Sequence, residues 1–161
     1  MEFKTACHKE TYERTRDYLQ SLFGEVNCQS IGDSFVLQEG STFVYVRVLP
    51  VGDSKSVVEV FSYVAVELTP GEELMRFLLS QNLKLILGAF GLAIDDDGTA
   101  SVILSHSILG KSMDKEELYG SVSAVARVAD ELDDQIVANF GGKTALDRLM
   151  SREKAPAEFW E

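Results

Sequence analysis

Hydrophobic positions along this chain change their period in a definite order. From about residue 8 to residue 23, Tyr12, Leu19, Leu22 and Phe23 lie near one helical face, and Gly24 stands where such a helix ends. Residues 34–38 read as a short strand. The Glu39-Gly40-Ser41 break leads to a run over 42–49, where Val44, Val46 and Val48 alternate with Phe43, Tyr45 and Arg47. After a loop over 50–55, Val58, Val60, Val64, Val66 and Leu68 occupy one side of the next strand, and Glu59, Phe61, Tyr63 and Glu67 the other. Period two with β-branched and aromatic residues is the pattern of a pleated, half-buried surface.

Thr69-Pro70-Gly71-Glu72 then predicts a helix start, with Thr69 as the cap, Pro70 in the first turn and Glu72 reaching back. Leu74, Phe77 and Leu78 form that helix's apolar stripe, and Asn82 is its stop. Residues 85–94 are apolar on both faces, which predicts a central strand, with Gly88 and Gly91 allowing close approach or a bulge. Asp95-Asp96-Asp97-Gly98 turns the chain, and 101–109 returns antiparallel. Asp114 and Glu117 supply a capping pair for a helix of about seven turns, whose stripe is Leu118, Val122, Val125, Ala129, Leu132, Ile136 and Phe140. Gly141-Gly142 ends it, and 144–150 add a short turn of helix.

The prediction is an α+β fold, a five-stranded antiparallel sheet flanked by helices in the order α-β-β-β-α-β-β-α. One domain spans 1–150. The charged stretch 151–161, interrupted by Pro156, is expected to fray. A chain of 161 residues fits a single domain.

Charge narrows the function. Fifteen basic residues against 26 acidic ones give a formal net charge of −11. Binding to phosphate backbones and anionic lipid surfaces depends on Lys and Arg, so nucleic acid and membrane are not expected partners. The most apolar segment, from Leu83 to Ile94, contains Lys84 and is too short to span a bilayer. The N-terminus lacks the apolar run of a targeting signal, and the expected location is cytoplasmic. Cys7 and Cys28 have neither metal-ligand nor CxxC spacing and are expected as free thiols, although a disulfide is conceivable.

No motif carries catalysis. Gly141-Gly142-Lys143-Thr144 imitates the end of a phosphate-binding loop, but position 137 is Val137 where that loop needs glycine, and the segment follows a helix instead of a strand. The three aspartates before Gly98 lack the later ligands of an EF-hand and read as a hairpin turn. His106 shares a strand face with Val102, Leu104 and Ile108, while Ser105 and Ser107 point the other way, so no nucleophile–base pair follows from adjacency. No enzyme, cofactor or metal site is expected.

One constellation carries more. Pairing the strands about Asp53 sets Arg47 opposite Glu59, Tyr45 opposite Phe61 and Phe43 opposite Tyr63. Unlike charges and aromatic pairs across strands each contribute roughly 0.2–1 kcal/mol. The Val-rich face is thereby left for helices, and Phe43, Tyr45, Phe61 and Tyr63 form a second, aromatic face. That face either packs under a helix or simply sits half exposed, or it serves as a dimer contact or a groove for an apolar segment of another protein. Phe159-Trp160 poses the same question in miniature, as a docking anchor or a frayed end.

The element order resembles the type III secretion chaperone-like fold, and within it the YbjN family, described as bacterial sensory transduction regulators. The residues that carry the likeness are the strand 57–68 leading into Thr69-Pro70-Gly71-Glu72-Glu73-Leu74, then 85–91, and the Asp-Gly hairpin into 101–110. The resemblance implies a small acidic protein with an antiparallel sheet flanked by helices, a homodimer, and binding of partly unfolded protein segments without ATP. The functional expectation is a non-enzymatic, chaperone-like protein- or peptide-binding regulator. A small-molecule sensor with a pocket between sheet and helices is the alternative.

Overall fold

A computed structural model describes residues 2–153. Its elements are α1 (Ala6–Phe23), β1 (Gln29–Ile31), β2 (Ser34–Glu39), β3 (Thr42–Val51), β4 (Lys55–Leu68), α2 (Glu72–Asn82), β5 (Ala89–Ile94), β6 (Ala100–Leu109), α3 (Lys115–Phe140) and α4 (Ala145–Glu153). The strands form one sheet in the order β1-β2-β3-β4-β6-β5, with every pairing antiparallel.

The sheet therefore has six strands, not the expected five, and the chain has a fourth helix. The extra strand is β1, three residues that pair with β2 across a two-residue loop with Gly32 at φ 62°. Gly at the first loop position gives the positive φ that matches hairpin twist. With only Gln29, Ser30 and Ile31, β1 is too short and polar to show a period.

The Val-rich face is the core. Val44, Val46, Val48, Val58, Val60 and Val64 pack with Leu19 of α1 and with Leu118, Val122, Val125, Ala129 and Ile136 of α3. Each such side chain, taken fully out of water, stabilises the fold by about 1.5–3 kcal/mol. α1 lies against β3 and β4, and α3 crosses β2, β3, β4 and β6. Thr5 caps α1 by accepting a hydrogen bond from the His8 amide at 3.0 Å. Asp114 does the same for α3 at the Glu117 amide, 2.7 Å away. The cap of α2 is Gly71, not the expected Thr69, and it makes no side-chain hydrogen bond. Glu72 and Glu73 in the first turn instead complement the helix dipole.

The expected central strand is an edge strand. β5 begins at Ala89 and pairs only with β6, while Leu83 and Ile86 lie in the preceding loop, 90% and 97% exposed. Asn82 holds the start of β5 from outside. Its side chain accepts from the Phe90 amide at 2.7 Å and donates to the Phe90 carbonyl at 3.2 Å. Two-sided apolarity signals surfaces that exclude water, but among the described residues nothing pairs with the outer edge of β5.

β4 also departs from strict alternation. Register shifts between Tyr63 and Ala65 and between Ala65 and Leu68 place both Val64 and Ala65 in the core, and Val66 on the opposite face. A bulge turns one side chain over while the strand continues. Glu67 follows with φ 57°, the left-handed region for a residue that has a Cβ.

Beyond the start of β3, β4 gains another neighbour. Val66 and Lys143 exchange two backbone hydrogen bonds of 2.9 Å, carrying the chain after α3 past the first residues of β3 to the far face of the sheet. The Gly141-Gly142-Lys143-Thr144 segment is thus a crossing point. α4 follows it and lies against β3 and β4. Thr144 accepts from the Asp147 amide at 3.1 Å, and α4 runs on through Ser151 to Glu153. Phe159 and Trp160 lie outside the described residues.

A buried acid ties α3 to the turn between β2 and β3. The Ser41 hydroxyl lies 2.9 Å from Asp130 Oδ1 and 2.8 Å from Asp133 Oδ2, and a hydroxyl has one proton to donate. Burial pushes the Asp133 carboxyl above its ordinary value. The hydrogen bonds from Ser41 and the Asp134 amide oppose that shift, and the charges of Asp134 and Asp130 add to it. A raised native value means that the native state holds the proton more tightly, so this group's contribution to stability is lost as pH rises through the raised value. Urea unfolding followed as pH rises from the ordinary carboxylate range through the raised value should show that downward slope, and Asp133→Asn should flatten it. An unchanged slope in the variant would remove Asp133 as the source.

Candidate functional site

Two of the three expected cross-strand pairs are present, Arg47 with Glu59 and Tyr45 with Phe61, and the ladder runs as far as Val44 with Ser62, one step short of Phe43 and Tyr63. Alternation then puts Phe43, Tyr45, Phe61 and Tyr63 on the face opposite α1 and α3. The Tyr45 and Phe61 rings stack at 5.2 Å and 17°. Tyr63 stands edge-on to both, 5.8 Å from Tyr45 and 5.9 Å from Phe61. The Arg47 guanidinium sits 4.9 Å above the Phe61 ring and donates through Nε to Glu59. Edge-on and stacked pairs satisfy the ring quadrupoles, and a cation over a ring adds to them.

The four residues do not play equal parts. Phe61 is 8% exposed and holds the cluster together, whereas Tyr63 is 36% exposed and presents its ring to solvent. Burial pushes the Tyr45 phenol above its ordinary value. Tyr63 adds to the shift, and Arg148 draws it back. Phe43 forms no ring pair among the described residues and instead lines the neighbouring cleft.

Two hollows meet at Tyr63. One, of about 470 Å³, lies between the sheet and α4, with Val36, Phe43, Tyr45 and Val66 as its floor and Ala145, Arg148 and Leu149 as its wall. The other, of about 290 Å³, runs over Arg47, Glu59 and Phe61 towards Gly91 and Leu92 of β5. Together they make a trough across the outer face of the sheet, apolar at the bottom and charged at isolated points. Glu67 sits beside it, paired to Lys143 at 2.9 Å and to Arg148 at 3.7 Å.

The sequence reading did not anticipate Val36, Val66 or the α4 wall. The amphipathic spacing of Ala145, Arg148 and Leu149 carried some signal for α4, but the bulge that turns Val66 outward carried none. A separate hollow of about 600 Å³ lies on the other face, between the end of α1, β2 and α3. Leu37, Val44 and Val122 line it, together with the stacked rings of Phe23 and Tyr119.

The remaining candidates occupy structural positions. His8 is buried, with Nε2 3.1 Å from the Val48 carbonyl. His106 is half-buried and pairs with Val60 across the strands. Cys7 and Cys28 are free thiols, with Cys7 Sγ 3.6 Å from the Ser56 hydroxyl. In the Asp95–Gly98 turn, Asp97 accepts from the Thr99 amide and hydroxyl at 2.9 and 2.7 Å. Among the described residues no cluster of His, Cys, Asp and Glu could hold a metal ion, and no helix is long and apolar enough to cross a membrane.

Comparison with known proteins gives this geometry a context. An uncharacterized protein of Aquifex aeolicus (strain VF5) is 32% identical over 97 residues, which is 60% of this chain and 39% of that protein's length. The crystal structure of YbjN from E. coli superposes with a TM-score of 0.57 at 13% identity, over 76% of this chain and 91% of that one. At that identity the likeness shows the fold. The model of one family, T3SS (YopN, CesT) and YbjN peptide-binding chaperone 1, matches residues 9–148, which takes in the whole sheet, the α1–α3 layer and the start of α4. With the match running through the crossing segment and onto the outer face, the chain belongs to the family of T3SS and YbjN peptide-binding chaperones.

Proposed function

We propose that the chain is a non-enzymatic peptide-binding chaperone or regulator, and that the trough centred on Tyr63 is where it holds its partner. The observation that carries this reading is an aromatic ring cluster left partly open to solvent on the sheet face opposite the one that α1 and α3 cover. An exposed Tyr beside the buried Phe61 ring supplies a rigid, amphipathic contact of the kind that dominates binding at interfaces. The floor is apolar and its charges are few, which suits an apolar stripe on a peptide better than a polar metabolite. The test is titration of a fluorescent amphipathic peptide against the unmodified chain and against Tyr63→Ser. Lost binding with an intact fold supports the site, and unchanged binding places the partner elsewhere.

A second copy of the chain has a different surface available. Among the described residues the outer edge of β5 is unpaired, and Leu79, Leu83 and Ile86, shortly before it in the chain, stand exposed. Pairing of two such edges would cover both the open backbone and the apolar loop. Light scattering should then give twice the 17.8 kDa chain mass, and Leu83→Asp with Ile86→Asp should halve it. A single-chain mass at tens of micromolar would remove the dimer.

A further inference from the structure

α4 already lies on the face assigned to the partner. It contacts β3 and β4 from the outer side, and Ala145, Arg148 and Leu149, spaced i, i+3 and i+4, form one wall of the larger hollow. None of its residues from Ala145 to Ser151 belongs to the hydrophobic core. Leu149 stays 46% exposed, and a hollow of about 470 Å³ remains between helix and sheet. The seat is imperfect in its polar contacts as well. Arg148 Nε is buried 3.7 Å from Glu67, too far for a hydrogen bond, and finds no acceptor among the described residues.

The attachment of α4 is polar and peripheral. Glu67 pairs with Lys143 of the crossing segment and with Arg148 of α4, and with α4 displaced it would lose Arg148 and keep Lys143. Of the other charged groups in the trough, Arg47 and Glu59 neutralise each other. Gly141 and Gly142, at φ 79° and 82°, join α4 to α3. The surface beneath α4 therefore presents an apolar floor with, at its margin, a carboxylate that has lost one of its two cationic partners.

We propose that α4 is the resident occupant of the trough, and that the partner is a short amphipathic helix that displaces it, with apolar residues over Tyr45 and Tyr63 and a basic residue for Glu67. The inference rests on the peptide-binding reading above and adds the partner's conformation, its charge and the competition. Charge complementarity supports it, since a chain of net charge −11 attracts a basic segment. Tethering supports it too, because a linked segment acts at an effective concentration in the millimolar range and excludes weaker free competitors. A partner gains by making the hydrogen bond that Arg148 lacks and by filling the space that α4 leaves.

The test uses a fluorescent synthetic peptide that copies residues 143–153, titrated against the full chain and two full-chain variants, Arg148→Glu and Leu149→Ser. Arg148→Glu sets a carboxylate against Glu67, and Leu149→Ser removes apolar contact at an exposed position, so each loosens α4 without entering the core. The peptide should bind each variant at least about tenfold more tightly than the unmodified chain, with unchanged circular dichroism. A second amphipathic peptide of unrelated sequence separates the outcomes. Equal affinity for all three chains overturns the competition by α4 but leaves the trough as a binding site. Binding of the unrelated peptide without any binding of the copied one overturns α4 as the occupant. Failure of both peptides on every chain overturns this inference and the reading beneath it.

Discussion

The chain carrying Tyr63→Ser is expected to bind an amphipathic peptide about tenfold to a hundredfold more weakly than the unmodified chain, with its melting temperature changed by only a few degrees. Tyr63 stands at the junction of the two hollows, with its ring edge-on to Tyr45 and Phe61. Its removal deletes contact area that a partner uses but leaves the Tyr45–Phe61 stack in place. Phe61 is the poorer probe although it is the more apolar residue. At 8% exposure, between Tyr45 and the Arg47 guanidinium, its loss should cost about 2–4 kcal/mol of stability and confuse unfolding with lost binding. Titration by fluorescence anisotropy and thermal melts on the same samples separates the two effects. A peptide affinity unaffected by Tyr63→Ser, with the fold retained, would disprove the site.

The second large effect falls on the crossing segment. Gly142→Val should destabilise the protein by about 2–5 kcal/mol, combining left-handed backbone strain with overpacking. A Cβ at this position would lie 2.5 Å from the Val66 carbonyl oxygen and 2.8 Å from Leu68 Cγ, at a φ of 82°. Neither neighbour can yield easily, since one is strand backbone hydrogen-bonded to Lys143 and the other is core. The substitution should also break the Val66–Lys143 bridge and so release α4. Chemical denaturation reports the first consequence, and amide exchange at Val66 and Lys143 the second. A variant of native stability with both amides protected would mean that the chain can cross the sheet without glycine.

These effects show how far the linear pattern reached. The alternation in 42–49 and 57–68 was enough to pair Arg47 with Glu59 and Tyr45 with Phe61, because the loop about Asp53 joins neighbouring strands and the register follows from it. The caps at Asp114 and Gly141, and the stripe from Leu118 to Ile136, also depend on contacts within a few residues. The reading failed where distant segments compete. Residues 85–94 were expected at the centre of the sheet because they are apolar on both sides, yet β6 lies between β4 and β5, and that choice is made by strand pairing. Val66 was assigned to the core by parity until the bulge after Tyr63 reversed it. β1 had too few residues to register a period.

The candidate site divides along the same line. Phe43, Tyr45, Phe61 and Tyr63 were legible as one face, since side chains two residues apart on a strand must share a side. Their inequality was not legible. Which ring is buried, which is open, and what lies above them depends on α4 arriving from more than eighty residues further along the chain. No local rule places it there. The crossing at Gly142, the two-bond bridge to Val66 and the ion pairs of Glu67 do so, each joining residues remote in the chain. Periodicity divided the sheet into a packed face and an aromatic one because it records what each residue's immediate neighbours require. The shape of the trough, and the helix that partly fills it, came from long-range packing, where the free energy belongs to pairs of segments that the linear order keeps apart.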